Sequence, residues 1–353
     1  MALNLNTDQV NYLNIGLMIL SAALAVLFPF ELFLFAYAVL GPLHYLTEIS
    51  WLHEKNYYTQ GKRDYLFLIV ACVTVSLFFF GVIAGAPKGT SEFFGYLAFV
   101  AALLFVLVKN PVTRLGFLLL SGLTAFFFVS SPVFVVLFGV LLPTLIHVFI
   151  FTGLFLLAGA LKGRSFSGFV SLLVFIGIAA WFLLFQPAFS HYQVSDYARA
   201  SYGSFQEDGK VKGFVALNYF IAKFFHVSGL GQPTGALSDF VKILNDFLYQ
   251  NPKALAIMSF IAFAYTYHYF NWFSKTSIIR WHEVPRARFG ILLLIWMVSL
   301  ALYAKSYALG LQWLFFLSLL HVFLEFPLNH LTVIHIGKEL RRMIFSGMGI
   351  KVS

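Results

Sequence analysis

Long apolar runs separated by short polar connectors make up almost the whole chain. A membrane-crossing helix needs about 20 mostly apolar residues. By that measure ten stretches qualify, roughly 11–29, 31–53, 64–85, 92–108, 113–130, 132–161, 167–186, 253–274, 289–306 and 309–329. Only Phe28-Pro29-Phe30-Glu31 separates the first two, so they read as a tight helical hairpin. Ser130-Ser131-Pro132 makes a similar break between the fifth and the sixth. The pattern predicts an all-α fold: a multi-pass integral membrane bundle of about ten transmembrane helices, forming one domain over residues 1–353.

One connector is long. Residues 187–252 begin polar, then show helical apolar spacing over Gly213–Phe225 and Ala236–Tyr249, divided by the turn Gly229–Gly235. Asp239, Lys242 and Asp246 mark the polar face of the second stretch. Such helices suit a membrane surface; a compact lid over the bundle is the alternative.

The polar connectors carry an orientation signal. Lys and Arg concentrate on the cytoplasmic side of membrane proteins. If the N-terminus is inside, the cytoplasmic connectors hold Lys55, Lys62, Arg63, Lys109, Arg114, Lys162, Arg164, Lys275, Arg280, Arg286 and Arg288. The C-terminal tail adds Lys338, Arg341, Arg342 and Lys351, while the opposite short loops hold only Lys88 and Lys305. This predicts N-in, C-in topology with 187–252 on the outer face, and a location in the bacterial inner (cytoplasmic) membrane. The start Met-Ala-Leu-Asn-Leu-Asn-Thr-Asp lacks a basic n-region, so the first run reads as a retained span rather than a signal peptide.

Composition narrows the function classes. The chain is 60% hydrophobic and 10% charged, against about 25% charged for soluble domains. The 44 Phe suit lipid contact and helix packing first and an apolar substrate tunnel second. The net charge of +9 does not imply nucleic acid, because the basic residues are spread over short loops that meet lipid headgroups. Cys72 is the single cysteine, so a disulfide framework and a thiolate metal site are both excluded. G-x-x-x-x-G-K, HExxH, CxxC and G-x-S-x-G are all missing.

What remains is a histidine pattern. His44-Tyr-Leu-Thr-Glu48-Ile-Ser-Trp-Leu-His53 and His321-Val-Phe-Leu-Glu325-Phe-Pro-Leu-Asn-His330 share one spacing. Residues i and i+4 lie on one helical face, so each stretch sets an imidazole beside a carboxylate. His147 and His268 fall within two further even-numbered spans. Counted from the inner span ends, all four histidines lie in or near the inner half of the bilayer. Ionisable groups in spans usually face the bundle interior. The predicted metal site is therefore His44, Glu48, His147, His268, His321 and Glu325. Imidazole with carboxylate suits iron, zinc or manganese, and iron is the metal expected. Pro42, Pro143 and Pro327 stand near three of these histidines and can open space by kinking their helices. His268 and Asn271 are i,i+3 and share a face. Tyr265, Tyr267, Tyr269 and Trp272 read as interfacial aromatics. An offset of nine residues is two and a half turns, so His53 and His330 point away from the site, and with His282 and His335 they are boundary groups. His191 and His226 belong to the outer segment, which should supply no ligand.

Several roles fit such a site. Each buried histidine taken singly is more often a cross-helix hydrogen-bond partner than a ligand. Intramembrane His and Glu also build proton relays, as in a proton-coupled transporter. Paired histidines could ligate haem in an electron carrier. The third role is a non-haem iron oxidoreductase acting on a lipid-soluble small molecule, with a redox partner protein. The HxxxH and HxxHH boxes of membrane fatty-acid desaturases are absent. Gly41-Pro42-Leu43-His44 resembles the Gly-x-Pro-His element of the bacterial Brp/Blh-type carotene-cleaving dioxygenases. Trp272-Phe-Ser274 through Arg280-Trp-His282 resembles their aromatic-His-Ser-x-Arg-His segment, with Ser274 where a first His is expected. The resemblance implies iron held by histidines of several spans and oxidative chemistry on a polyene.

The topology is open to a direct check. Reporter fusions at Lys109 and at Ser353 should both signal from the cytoplasm, and a periplasmic signal at either breaks the N-in, C-in assignment.

Overall fold

The computed structural model describes residues 6–187, 192–206, 211–228, 230 and 237–347. Its helices begin where the sequence supplies caps. Asn6 and Gln9 form a reciprocal capping box at the start of α1 (Thr7–Leu27). Pro29 opens α2 (Pro29–Glu54) straight after the break at Phe28. Next come α3 (Tyr65–Phe79) and α4 (Thr90–Leu107). Asn110-Pro111, Ser131-Pro132 and Asn251-Pro252 each place a capping side chain before a proline at the first helical position. They start α5 (Pro111–Phe126), α6 (Pro132–Gly163) and α11 (Pro252–Ser274). Ser165 caps α7 (Phe166–Phe185). The last two helices are α12 (Arg286–Lys305) and α13 (Tyr307–Gly347).

All ten apolar runs form helices, and seven of these helices are long and apolar enough to cross a membrane. The other three differ for identifiable reasons. α3 stops at Phe79, short of the expected 85, because Gly81 takes the left-handed conformation (φ 68°). Its N–H bonds to the Phe78 carbonyl and that of Val82 to the Leu77 carbonyl, a helix-ending Schellman pair. α5 likewise ends at Phe126 rather than 130. α11 has the length but carries Tyr265, Thr266, Tyr267, His268, Tyr269 and Asn271. Every residue from Ala254 to Tyr269 is buried. A helix wrapped by protein rather than lipid can carry polar groups at that density. Tyr265, Tyr267, Tyr269 and Trp272 are therefore core residues, which corrects their reading as interfacial aromatics.

The bundle has two hydrophobic cores. One surrounds α11 and takes in α1, the first half of α2, and α7. The other surrounds the middle of α13 and takes in α3 and α4. α2 and α6 contribute to both: Phe30, Phe33, Tyr45, Val148 and Leu156 to the first, Leu52, Leu142 and Phe151 to the second. These two helices thus stand between the two pillars.

The segment after α7 folds into α8 (Asp196–Tyr202), a two-stranded antiparallel hairpin of β1 (Gly203–Phe205) and β2 (Val211–Gly213), α9 (Val215–Phe224) and α10 (Leu237–Gln250). β1 and β2 are the only strands among the described residues. α9 and α10 pack against α11, and α8 against α2. Asn245 pins β1 by exchanging hydrogen bonds of 3.0 and 3.1 Å with the Phe205 backbone. Tyr192 and Ser195 both donate to the Glu31 carboxylate, at 2.6 and 2.8 Å. The described part of the segment thus packs onto α2 and α11. His226 is exposed just past α9, and His191 lies outside the described residues.

Asn14 ties α1 to the central helix. It is buried, accepts from Tyr267 Oη and Ser274 Oγ at 3.1 Å each, and donates to the Val10 carbonyl at 2.8 Å. Asn14→Ala takes one acceptor from each hydroxyl, leaving Tyr267 and Ser274 only their contacts to Asn271, and should cost about 1–3 kcal/mol. Thermal unfolding in detergent should show that loss, with Tyr267→Phe milder because Ser274 keeps its acceptor.

Candidate metal centre

Four helices each deliver one histidine to one point: His44 from α2, His147 from α6, His268 from α11 and His321 from α13. All four are buried. Nε2 of His44 and Nε2 of His268 are 3.1 Å apart, and Nε2 of His147 and Nε2 of His321 are also 3.1 Å apart. One nitrogen from each ring lies within 4.8 Å of all the others, a group that could hold a metal ion. Two nitrogens bound to one ion at about 2.0–2.1 Å sit roughly 3–4 Å apart. The four-histidine set fits that requirement with little movement.

The backbone departs from the α-helix where two of these rings are set. Ala36–Leu40 is π-helical just before His44, and Val136–Phe151 is π-helical around His147. Pro42 and Pro143 explain the need. Each lacks an N–H, and its ring presses on the carbonyl four residues back. The wider π turn relieves that clash, and Gly41 N–H instead bonds to the Ala36 carbonyl. π segments are rare and concentrate at functional sites. α13 accommodates Pro327 as an interior helical residue.

Hydrogen bonds beyond the rings orient them unequally. Thr152 Oγ1 lies 2.8 Å from Nδ1 of His268. A proton on Nδ1 shared with Thr152 leaves the Nε2 lone pair free to face the centre. Tyr45 stacks on the His321 ring at 4.1 Å between centroids and 21° between planes. Trp272 stands edge-on to His44 at 5.5 Å and donates its N–H to Thr47 Oγ1 at 3.0 Å.

The two carboxylates, alike in sequence, are placed differently. Glu48 Oε2 is 3.1 Å from Nε2 of His44 on its own helix, the nitrogen that faces the centre. Glu325 Oε2 reaches across to α6 and lies 3.0 Å from Nδ1 of His147, the ring's outer nitrogen. Both contacts are off the axis needed for a hydrogen bond, so both Oε2 atoms stay without one.

A cavity of about 60 Å³ adjoins the centre. His147, His268 and His321 line it, with Tyr37, Tyr45, Tyr265, Tyr269, Thr144, Ser318 and Phe214. That volume exceeds the roughly 10–15 Å³ that a single water needs. The Tyr45 and Tyr269 hydroxyls share a hydrogen bond of 2.9 Å at its edge. Gly41 lets them in, since a Cβ there would sit 2.9 Å from Tyr45 Oη and 3.2 Å from Tyr269 Oη. Phe214 brings the segment after α7 to the cavity wall, a contribution the sequence had not suggested.

Asn271, three residues after His268 on the same helix, accepts from Tyr267 Oη at 3.5 Å. His53 contacts Tyr57 Oη at 3.3 Å, and His330 Nε2 donates to the Phe99 carbonyl at 2.9 Å. Thr152 gave no sequence signal, because its role depends on a ring from another helix. Asn329 gave one: it extends the four-residue spacing of His321 and Glu325.

The chain matches no protein-family profile, no curated protein and no solved structure. The site's chemistry therefore rests on its own geometry.

Thr152→Val keeps the volume and removes the partner of His268. Metal affinity measured by chelator competition should fall about 10–100-fold, the usual cost of losing a ligand-orienting group, with the bundle still folded.

Proposed function

We propose that the protein is a membrane-embedded, metal-dependent oxidoreductase acting on a lipid-soluble substrate, with iron as its metal. The observation that carries this reading is the convergence of four buried imidazole nitrogens from four helices beside a small cavity. Imidazole donors suit iron, copper, zinc and nickel, and an ion held with open positions can activate oxygen. The cavity lies on the side of the centre lined by three of the four histidines, where an open position would be useful. Nearby, the chain supplies hydroxyls at Tyr45, Tyr269 and Thr144 to orient a small polar molecule.

Haem is a poor fit. Four rings whose nitrogens lie within 4.8 Å leave no slot for a macrocycle among them. The resemblance to Brp/Blh-type dioxygenases favours an unsaturated hydrocarbon as the substrate. A water-soluble redox protein at the basic face is the natural electron source. In the same reading the chain crosses the membrane ten times, with α3, α5 and α11 as the short or polar crossings. Both termini are then cytoplasmic, the histidines lie in the inner half of the bilayer, and the segment 192–250 is outside.

Metal analysis and a visible spectrum of the purified protein test the proposal. The protein should carry a transition metal, iron foremost. His44→Ala and His321→Ala should each strip it without unfolding the bundle, while a His191→Ala, His226→Ala double variant should keep it. A protein that takes up no metal, or His44→Ala and His321→Ala variants that retain it fully, would end this reading.

A further inference from the structure

Near the four histidines, Oε2 of Glu48, Oε2 of Glu325 and the Asn329 amide are buried without a hydrogen bond. Glu48 and Glu325 are 2% and 3% exposed, and Glu48 lies within electrostatic reach of the Glu325 carboxylate. A charged carboxylate removed from water is costly unless it is paired and hydrogen-bonded. No cationic side chain answers them. Among the described residues, the ion pairs of arginine go to Asp64, Glu54, Glu283 and Glu339, all elsewhere. An imidazole nitrogen lies beside each, His44 Nε2 at 3.1 Å from Glu48 and His147 Nδ1 at 3.0 Å from Glu325, but neither Oε2 accepts a hydrogen bond from it.

Asn329 adds an independent observation. It is 1% exposed, and neither its Oδ1 nor its Nδ2 has a hydrogen-bond partner. Buried amide groups are rarely left so, and an exception calls for a bound water or ion. Asn329 follows Glu325 by four residues, as Glu325 follows His321, so the three share one face of α13. α13 packs along α2, which carries Glu48.

We infer that Glu48, Glu325 and Asn329 form a second cation site, separate from the four-histidine site and next to it. The inference rests on the metal reading above and extends it from one ion to two. The donors are two carboxylates and an amide oxygen, which suit a hard divalent cation such as Mn²⁺, Fe²⁺ or Mg²⁺. Glu48 is placed to serve both ions, since its Oε2 is 3.1 Å from the His44 nitrogen that faces the first. Paired ions in catalytic sites lie about 3.5–4 Å apart, so one carboxylate can touch both.

The test is metal stoichiometry on the full-length protein, reconstituted with Mn²⁺ and separately with Fe²⁺. Wild type should hold about two ions per chain. The Glu48→Gln, Glu325→Gln double variant should hold about one, and that remaining ion also shows that the bundle is folded. Asn329→Leu should keep the histidine-bound ion and weaken the other about tenfold or more. One ion per chain in the wild type overturns the inference and leaves the four-histidine site standing; the carboxylates then share a proton. Loss of both ions in the double variant also overturns it, because the carboxylates would then belong to a single site. A wild type that binds nothing ends the metal reading, and this inference with it.

Discussion

Four imidazoles packed nitrogen to nitrogen inside an apolar bundle set the terms for the rest of this molecule. Facing lone pairs repel unless a proton or a cation lies between them. The fold holds them there by using two cores. α11 lies in one cluster and the middle of α13 in the other, and α2 and α6 belong to both. The histidines come one from each of these four helices, so the centre lies at the seam between the cores.

Reaching that seam costs backbone regularity. Pro42 and Pro143 disturb α2 and α6 just before their histidines, and the π-helical stretches Ala36–Leu40 and Val136–Phe151 absorb the disturbance. A change of helical pitch rotates every side chain that follows. The prolines therefore set the direction of His44 and His147 as well as making room beside them. The close approach at Gly41 belongs to the same construction, because it seats the Tyr45–Tyr269 pair against the cavity.

The surroundings of the centre are asymmetric. On one side tyrosines, Thr144 and Ser318 line a small cavity that the hairpin segment reaches with Phe214. Elsewhere around it, Glu48, Glu325 and Asn329 present oxygen atoms without a hydrogen bond. Thr152 holds His268 by a direct hydrogen bond, while Tyr45 holds His321 by stacking.

Much of this was legible in the sequence, for clear reasons. Apolar runs of about 20 residues specify helices whatever their neighbours are, and Asn-Pro and Ser-Pro pairs mark where helices start. The repeated His-x3-Glu spacing exposed His44, Glu48, His321 and Glu325, because side chains four apart share a face. Similar depth added His147 and His268. Tertiary structure decided what depends on relations between helices. Glu325 approaches His147 on α6 instead of its own-helix neighbour His321, and Thr152 serves a ring 116 positions away. Tyr265 and Tyr269 read as interfacial aromatics until α11 proved to be wrapped by protein. Local spacing fixes which side chains share a face; only packing determines what that face meets.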